Sequence, residues 1–266
     1  TSPLFMDRSL HKLRSYLSID TFKAGTYLGN LDIFTTMDRA NKKRLGHPKL
    51  VQMFNRMATY NGSSPYKAPG IPNIIASLEY SDGVYFPENG MYSITTGLVQ
   101  LAKDLGVEFQ FNTKVTEILH EKNITKGVIA DQKKYHSEIV VSNMDVFLSY
   151  RTLLKDIKAP ERLLKQERSS SALVYYWGIG RSFKDLQLHN IFFSNNYPEE
   201  FHYLFEKKDI YEDPTIYVNI SSKESPPDAP EGHENWFVMV NAPTNDGQDW
   251  NEIASRTRKM VISKLN

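Results

Sequence analysis

The 266-residue chain contains no cysteine. Disulfides, thiolate nucleophiles and cysteine-held zinc or iron–sulfur centres are therefore excluded. The absence is compatible with a reducing compartment. Neither charge dominates: 32 basic and 31 acidic side chains leave a net charge of +1. The basic surplus that a nucleic-acid partner calls for is missing. No apolar run approaches the roughly 20 residues of a membrane-spanning helix. The longest, such as Ala172–Ile179, are strand-sized. No G-x-S-x-G supports hydrolase chemistry. No His-x-x-x-His pair places two ligands on one helix face, so no metal site is indicated. No G-x-G-x-x-G follows a strand, so the chain lacks the glycine-rich helix N-terminus that neutralises a dinucleotide pyrophosphate.

What is present suffices for a sizeable core in one or two domains, with 40% hydrophobic and 12% aromatic residues. The organising stretch is Val84–Val146. A turn, Pro87-Glu88-Asn89-Gly90, leads to Ser93, whose hydroxyl suits a helix N-cap. Ile94, Leu98, Leu101, Ala102 and Leu105 then recur at helical spacing and predict one buried apolar face. Gly106 stands where a left-handed cap belongs. The period then changes to two: Val107, Phe109, Phe111 and Val115 predict a half-buried strand. Lys126–Ala130 and Glu138–Ser142 predict two more, joined by a polar turn at Asp131–Lys134.

Before this block, residues 1–60 read as helical and basic. Leu10, Leu13 and Leu17 are spaced as a helix decorated by Arg8, His11, Lys12 and Arg14. Such a face is either simply solvated or meets anionic lipid headgroups. Further helices are predicted from Thr35-Thr36 to Arg44 and after Pro48. After the block, Leu173–Ile179, His189–Ser194, Thr215–Ile220 and Trp236–Asn241 predict four strands. A short helix is expected over Pro198–Glu206. Trp250, Ile253, Ala254, Thr257, Met260, Val261 and Leu265 share one face of a C-terminal helix. That pattern runs to the last residue without a cap and the chain starts Thr-Ser-Pro, so it reads as a piece of a longer protein.

Several short tags, in order, carry a family likeness. They are Phe86-Pro87-x-Asn89-Gly90-Met91, Leu105-Gly106-Val107, Asn112-Thr113-x-Val115, Val141-Ser142-Asn143-x-Asp145 and Tyr150-Arg151-x-Leu153-Leu154. With them the chain resembles carotenoid desaturases of the phytoene dehydrogenase family, flavoproteins that oxidise long polyenes. The family usually has a Gly-Gly pair where Asn89-Gly90 stands. Ala58-Thr59-Tyr60-Asn61-Gly62 is similar to the branch acting on hydroxylated carotenoids.

The resemblance implies an α+β fold, with a mixed-sheet substrate domain plus a helix and strands lent to a truncated flavin domain. Residues 1–92 would be its helical, membrane-facing part, 93–147 the flavin-domain segment and 148–266 the sheet. It implies an FAD cofactor whose two glycine-rich segments lie outside this chain, so the piece alone would bind flavin poorly and be inactive. It implies a hydrophobic polyene substrate and a cytoplasmic protein attached peripherally to a membrane surface. The oligomeric state is left open.

Val115 would face the adenine, or is a core residue of an alternating strand. Asn89, Gly90 and Met91 would approach the flavin or the substrate tunnel, or are a connector needing positive φ at Gly90. Asp7 and Arg8 lie near an acid–base pair of the family, or are a surface ion pair. Tyr60, Tyr66, Tyr176 and Phe192 would line the polyene site. Adjacent strand aromatics point to opposite faces, so one face packs the core and the other is free to line a tunnel. Two other readings remain: a prenyl- or lipid-binding carrier on the same fold, and a flavin amine oxidase.

Overall fold

The computed structural model describes residues 32–266. Asp7, Arg8 and the helix expected around Leu10–Leu17 lie outside them. In chain order the main elements are α1 (Met37–Leu45), α2 (Pro48–Asn55), a 3-10 segment (Arg56–Asn61), α3 (Asn73–Ser81) and α4 (Tyr92–Asp104). Then come β1 (Val115–Glu121), β2 (Ile124–Ala130), β3 (Lys133–His136), β4 (Ser171–Ile179), β5 (His189–Phe192), α5 (Tyr197–His202), β6 (Ile216–Asn219), β7 (Glu234–Ala242) and α6 (Trp250–Leu265). The chain forms two compact units: residues 86–168, and a discontinuous unit of residues up to 85 with Ser169–Asn266.

The discontinuous unit is built on a four-stranded sheet of order β4-β7-β6-β5. Every neighbouring pair is antiparallel, where a mixed sheet was expected. The strands sit where the sequence places them, because each carries its own apolar run. Register sorts their side chains into two faces. Leu173, Val240, Ile216 and Phe192 form one cross-strand row, and Tyr175, Val238, Val218 and Asn190 the next. This face holds the core, with Ile216, Val218, Val238 and Val240 all fully buried. α6 covers it: Ile253, Thr257 and Val261, spaced four apart, are its buried residues. Asp249 caps α6 by accepting from the N–H groups of Asn251 and Glu252. Lys264 ties down its last turn by donating to the carbonyls of Phe193 and Pro214.

The other unit holds α4 and the sheet β1-β2-β3. α4 ends in a Schellman motif. Gly106, at φ 80, donates to Lys103 O and Val107 to Ala102 O. Its start differs from expectation. Met91 occupies the cap position, and Ser93 lies inside the first turn with its hydroxyl donating to Gly90 O at 2.7 Å. The strand expected through Val107–Val115 is interrupted. Asn112 takes a left-handed φ of 55, and the ladder starts only at Val115. Phe109 and Phe111 still share a face, with rings stacked 5.8 Å apart. The third strand is Lys133–His136 and not Glu138–Ser142. Asp131 and Gln132 both have positive φ, 45 and 64, closing a two-residue hairpin that pairs Lys133 with Ala130 at once. The turn lacks the glycine that would have announced it.

The apolar face of α4 exists as predicted but is not buried. Leu98, Leu101 and Leu105 are 62%, 55% and 75% exposed. Periodicity reports that a face is apolar, not what covers it. Leu101→Asp is therefore expected to change the stability of this chain by less than about 1 kcal/mol. Thermal melts of the two proteins check this, and loss of the cooperative transition would show the face to be covered.

Candidate functional site

The second face of the four-stranded sheet is uncovered by α6. Its cross-strand rows are Val174, Met239, Tyr217 and Ile191, then Tyr176, Phe237, Asn219 and His189. The face is largely apolar and aromatic: Tyr176 meets Phe237 edge-on at 5.5 Å, and Phe237 meets Tyr217 at 6.4 Å.

A groove of about 620 Å³ lies over part of this face. Its floor is His189, Ile191, Tyr217 and Met239, and its wall carries Met53, Arg56, Met57 and Tyr60. The wall residues recur at 0, 3, 4 and 7, so one continuous helical side running from α2 into the 3-10 segment presents them together. Pro48 at the first turn and His47, whose Nδ1 accepts from Lys49 N, start α2. Asn61-Gly62 ends the segment with Gly62 at φ 59. A Cβ at Gly62 would lie 2.6 Å from Ser169 Cβ, so only glycine lets this turn close on the strand leading into β4. α3 contributes Glu79 and Tyr80.

The polar groups of the groove are few and mostly engaged. The Tyr60 hydroxyl donates to Glu79 Oε1 at 2.9 Å. The Arg56 guanidinium lies 5.1 Å from the Tyr217 ring centre. The Tyr217 hydroxyl is 2.8 Å from His189 Nδ1, and Asn219 Nδ2 is 3.3 Å from the same nitrogen. Asn219 Nδ2 also donates to Leu188 O, which fixes the amide's orientation. An amide nitrogen only donates, so His189 Nδ1 is the acceptor and Nε2 carries the hydrogen. Burial raises the pKa values of both Tyr60 and Tyr217, and the bond to Glu79 adds to the shift at Tyr60. Both phenols remain neutral donors at physiological pH.

Of the expected polyene-lining residues, Tyr60 lines the groove and Tyr176 stands on the same sheet face, 80% exposed. Phe192 points to the α6 side and packs against the core. Tyr66 lies in a separate groove of about 290 Å³, shared with Asn55, Gln52 and Tyr197, and meets Phe201 edge-on at 5.9 Å. In the other unit, Val115 opens β1 at 37% exposure and Met91 is 58% exposed. Asn89 is exposed, and Gly90 has φ 76 with open space where a Cβ would stand. Among the described residues no cluster of three or more His, Asp or Glu is arranged to hold a metal ion.

A sequence profile of the family described as flavin containing amine oxidoreductase matches residues 4–261. The chain belongs to this family. It is 52% identical over 265 residues to a 1-hydroxycarotenoid 3,4-desaturase of Flavobacterium sp. (strain P99-3), covering all of this chain and 54% of that protein. It is 32% identical over 240 residues to a 4,4'-diapolycopene oxygenase of Methylomonas sp., covering 89% of the chain and 48% of the relative. A phytoene desaturase of Fusarium fujikuroi is 30% identical over 241 residues, at 82% and 42% coverage. The likeness to carotenoid desaturases expected from the sequence tags holds. The chain spans about half the length of the curated relatives it matches. A solved oxidoreductase from Methanosarcina mazei shares the fold, with TM-score 0.60 at 14% identity, over 97% of this chain and 59% of that one.

Among the described residues no glycine-rich turn leads from a strand into a helix N-terminus. Gly90, in the turn before α4, has a left-handed φ of 76, which glycine adopts without steric cost.

Proposed function

We propose that this chain is the substrate-binding part of an FAD-dependent carotenoid desaturase of the hydroxycarotenoid branch. The observation that carries the reading is the uncovered sheet face with its groove, in a chain 52% identical throughout to a 1-hydroxycarotenoid 3,4-desaturase. A flat row of aromatic and aliphatic side chains suits a long conjugated hydrocarbon, whose binding rests on apolar burial and π-face contact. The groove takes one end of the polyene, and the rows ending at Val174 and Tyr176 carry the rest across the sheet. In the longer protein, flavin-binding segments cover the apolar face of α4. Leu98, Leu101 and Leu105 on that face are exposed in this chain.

The substrate would be drawn from a lipid phase, and the protein would sit on the cytoplasmic face of a membrane. Among the described residues no helix is long and apolar enough to cross one. A flavin amine oxidase fits less well, because an amine site wants an aromatic cage and the relatives named above act on carotenoids.

The test uses the protein extended through both native flanks. A visible spectrum is recorded before and after anaerobic addition of a carotenoid in liposomes. Bound flavin that bleaches on addition is the expected result, with the isolated 266-residue chain colourless. A flavin-free protein that still binds polyene would replace the desaturase reading with the lipid carrier. Flavin bound by the isolated chain would overturn the division of the cofactor site proposed here.

A further inference from the structure

Glu79 is the one carboxylate of the groove, whose other charged side chain, Arg56, lies over the Tyr217 ring. Glu79 stands on α3 among Ile74, Ile75, Ala76, Leu78 and Tyr80, a helix with no other charged side chain. A carboxylate beside an apolar groove is costly unless its oxygens are engaged. Tyr60 satisfies Oε1 at 2.9 Å, and no hydrogen bond reaches Oε2 among the described residues. On the floor of the same groove, His189 Nδ1 is occupied by Tyr217 and Asn219, which leaves Nε2–H as the ring's donor. The groove thus combines an acceptor and a donor, both fixed by neighbours, in a lining that is otherwise aliphatic and aromatic apart from Thr59 and Arg56. An alcohol oxygen is complementary to such a pair, since it donates one hydrogen and accepts another. A plain hydrocarbon end would leave Glu79 desolvated without gain.

We propose that Glu79, positioned by Tyr60, is the residue by which this groove selects a polyene end bearing a hydroxyl group, with His189 Nε2–H as the second contact. The inference rests on the groove being the polyene site, and it adds which end enters and what reads it. The substrate's hydroxyl hydrogen goes to Glu79 Oε2 and its oxygen accepts from His189. No covalent change at the hydroxyl is involved. Tyr60 is a positioning residue here, holding the carboxylate through Oε1.

The test measures equilibrium binding of two probes to the flank-extended protein: geraniol, and the hydrocarbon of the same carbon skeleton without the hydroxyl. The wild-type protein is expected to bind the alcohol more tightly. Glu79→Leu should weaken the alcohol about tenfold while leaving the hydrocarbon unchanged or tighter. Glu79→Gln, which keeps an acceptor oxygen, should retain most of the preference, and Tyr60→Phe should lose part of it. Glu79 is half-exposed, and melting curves of the variants establish that they fold. Hydrocarbon binding with no preference for the alcohol, or equal weakening of both probes in Glu79→Leu, overturns this inference and leaves the polyene groove standing. Failure of either probe to bind the wild-type protein removes the groove reading and this inference with it.

Discussion

Glu234→Ala is expected to cost the sheet-containing unit roughly 3–5 kcal/mol, as removal of one partner from a buried ion pair does. Glu234 is 3% exposed at the start of β7. Its Oε1 accepts from Phe183 N–H at 2.8 Å and Ser182 Oγ at 3.0 Å, and lies 2.7 Å from Lys223 Nζ. Its Oε2 accepts from Trp236 Nε1 at 2.8 Å. Alanine would leave Phe183 N–H, Ser182 Oγ and Trp236 Nε1 without this acceptor, and would take the carboxylate from the partly buried Lys223 ammonium, which keeps its bond to Phe183 O. Burial alone would raise the carboxyl's pKa, but Lys223 and the three neutral donors outweigh it and hold the group at about 2, against an ordinary 4.5.

The folded value is depressed, so this stabilisation is present above pH 4.5 and is lost as pH falls towards 2. The difference corresponds to about 3 kcal/mol. Urea denaturation at pH 7 and pH 3 measures both effects. Glu234→Gln keeps the shape and should flatten the acid limb. A loss under about 1 kcal/mol for the alanine variant would mean that the network relaxes without its acceptor.

The second large effect has the opposite sign. Glu200 on α5 is 1% exposed, and burial pushes its pKa up to about 7. The Thr215 hydroxyl donates to Oε2 at 2.5 Å and offsets only part of that. Lys264, near enough to act through its charge, also pulls the value down. Here the folded state holds its proton more tightly than the unfolded chain. The stabilisation is complete below pH 4.5 and is lost as pH rises to 7. Glu200→Gln, neutral at every pH, is therefore expected to match the parent near pH 5 and to exceed it by up to about 3 kcal/mol at pH 8. Melting curves at the two pH values decide the matter. A parent whose stability is level from pH 5 to 8, with a variant no more stable at pH 8, would mean that Glu200 ionises without penalty. Between them the two glutamates favour the fold most in the weakly acidic range.

Elements whose signal is local were legible along the chain. The four strands of the larger sheet appear because Val, Ile, Tyr and Trp cluster in runs of strand length. The buried stripe of α6 appears because Ile253, Thr257 and Val261 keep helical spacing. Gly106 marked the end of α4 because a left-handed residue there is most easily glycine. The tags around Asn89-Gly90-Met91 and Ser142-Asn143-x-Asp145 pointed to the family.

The remaining features depend on long-range pairing and packing, for the same reason in each case. A strand is defined by its partner, so alternation through Phe109 and Phe111 ran past a turn at Asn112, and polar Lys133–His136 paired because Asp131-Gln132 folded it back. Phe192 looked like a tunnel residue until register turned it to the core. The groove brings together Tyr60, Glu79, His189, Tyr217 and Met239 from five separate segments. No spacing along the chain encodes that meeting, because it follows from which strands pair, which face α6 covers and where Gly62 lets the chain return to the sheet.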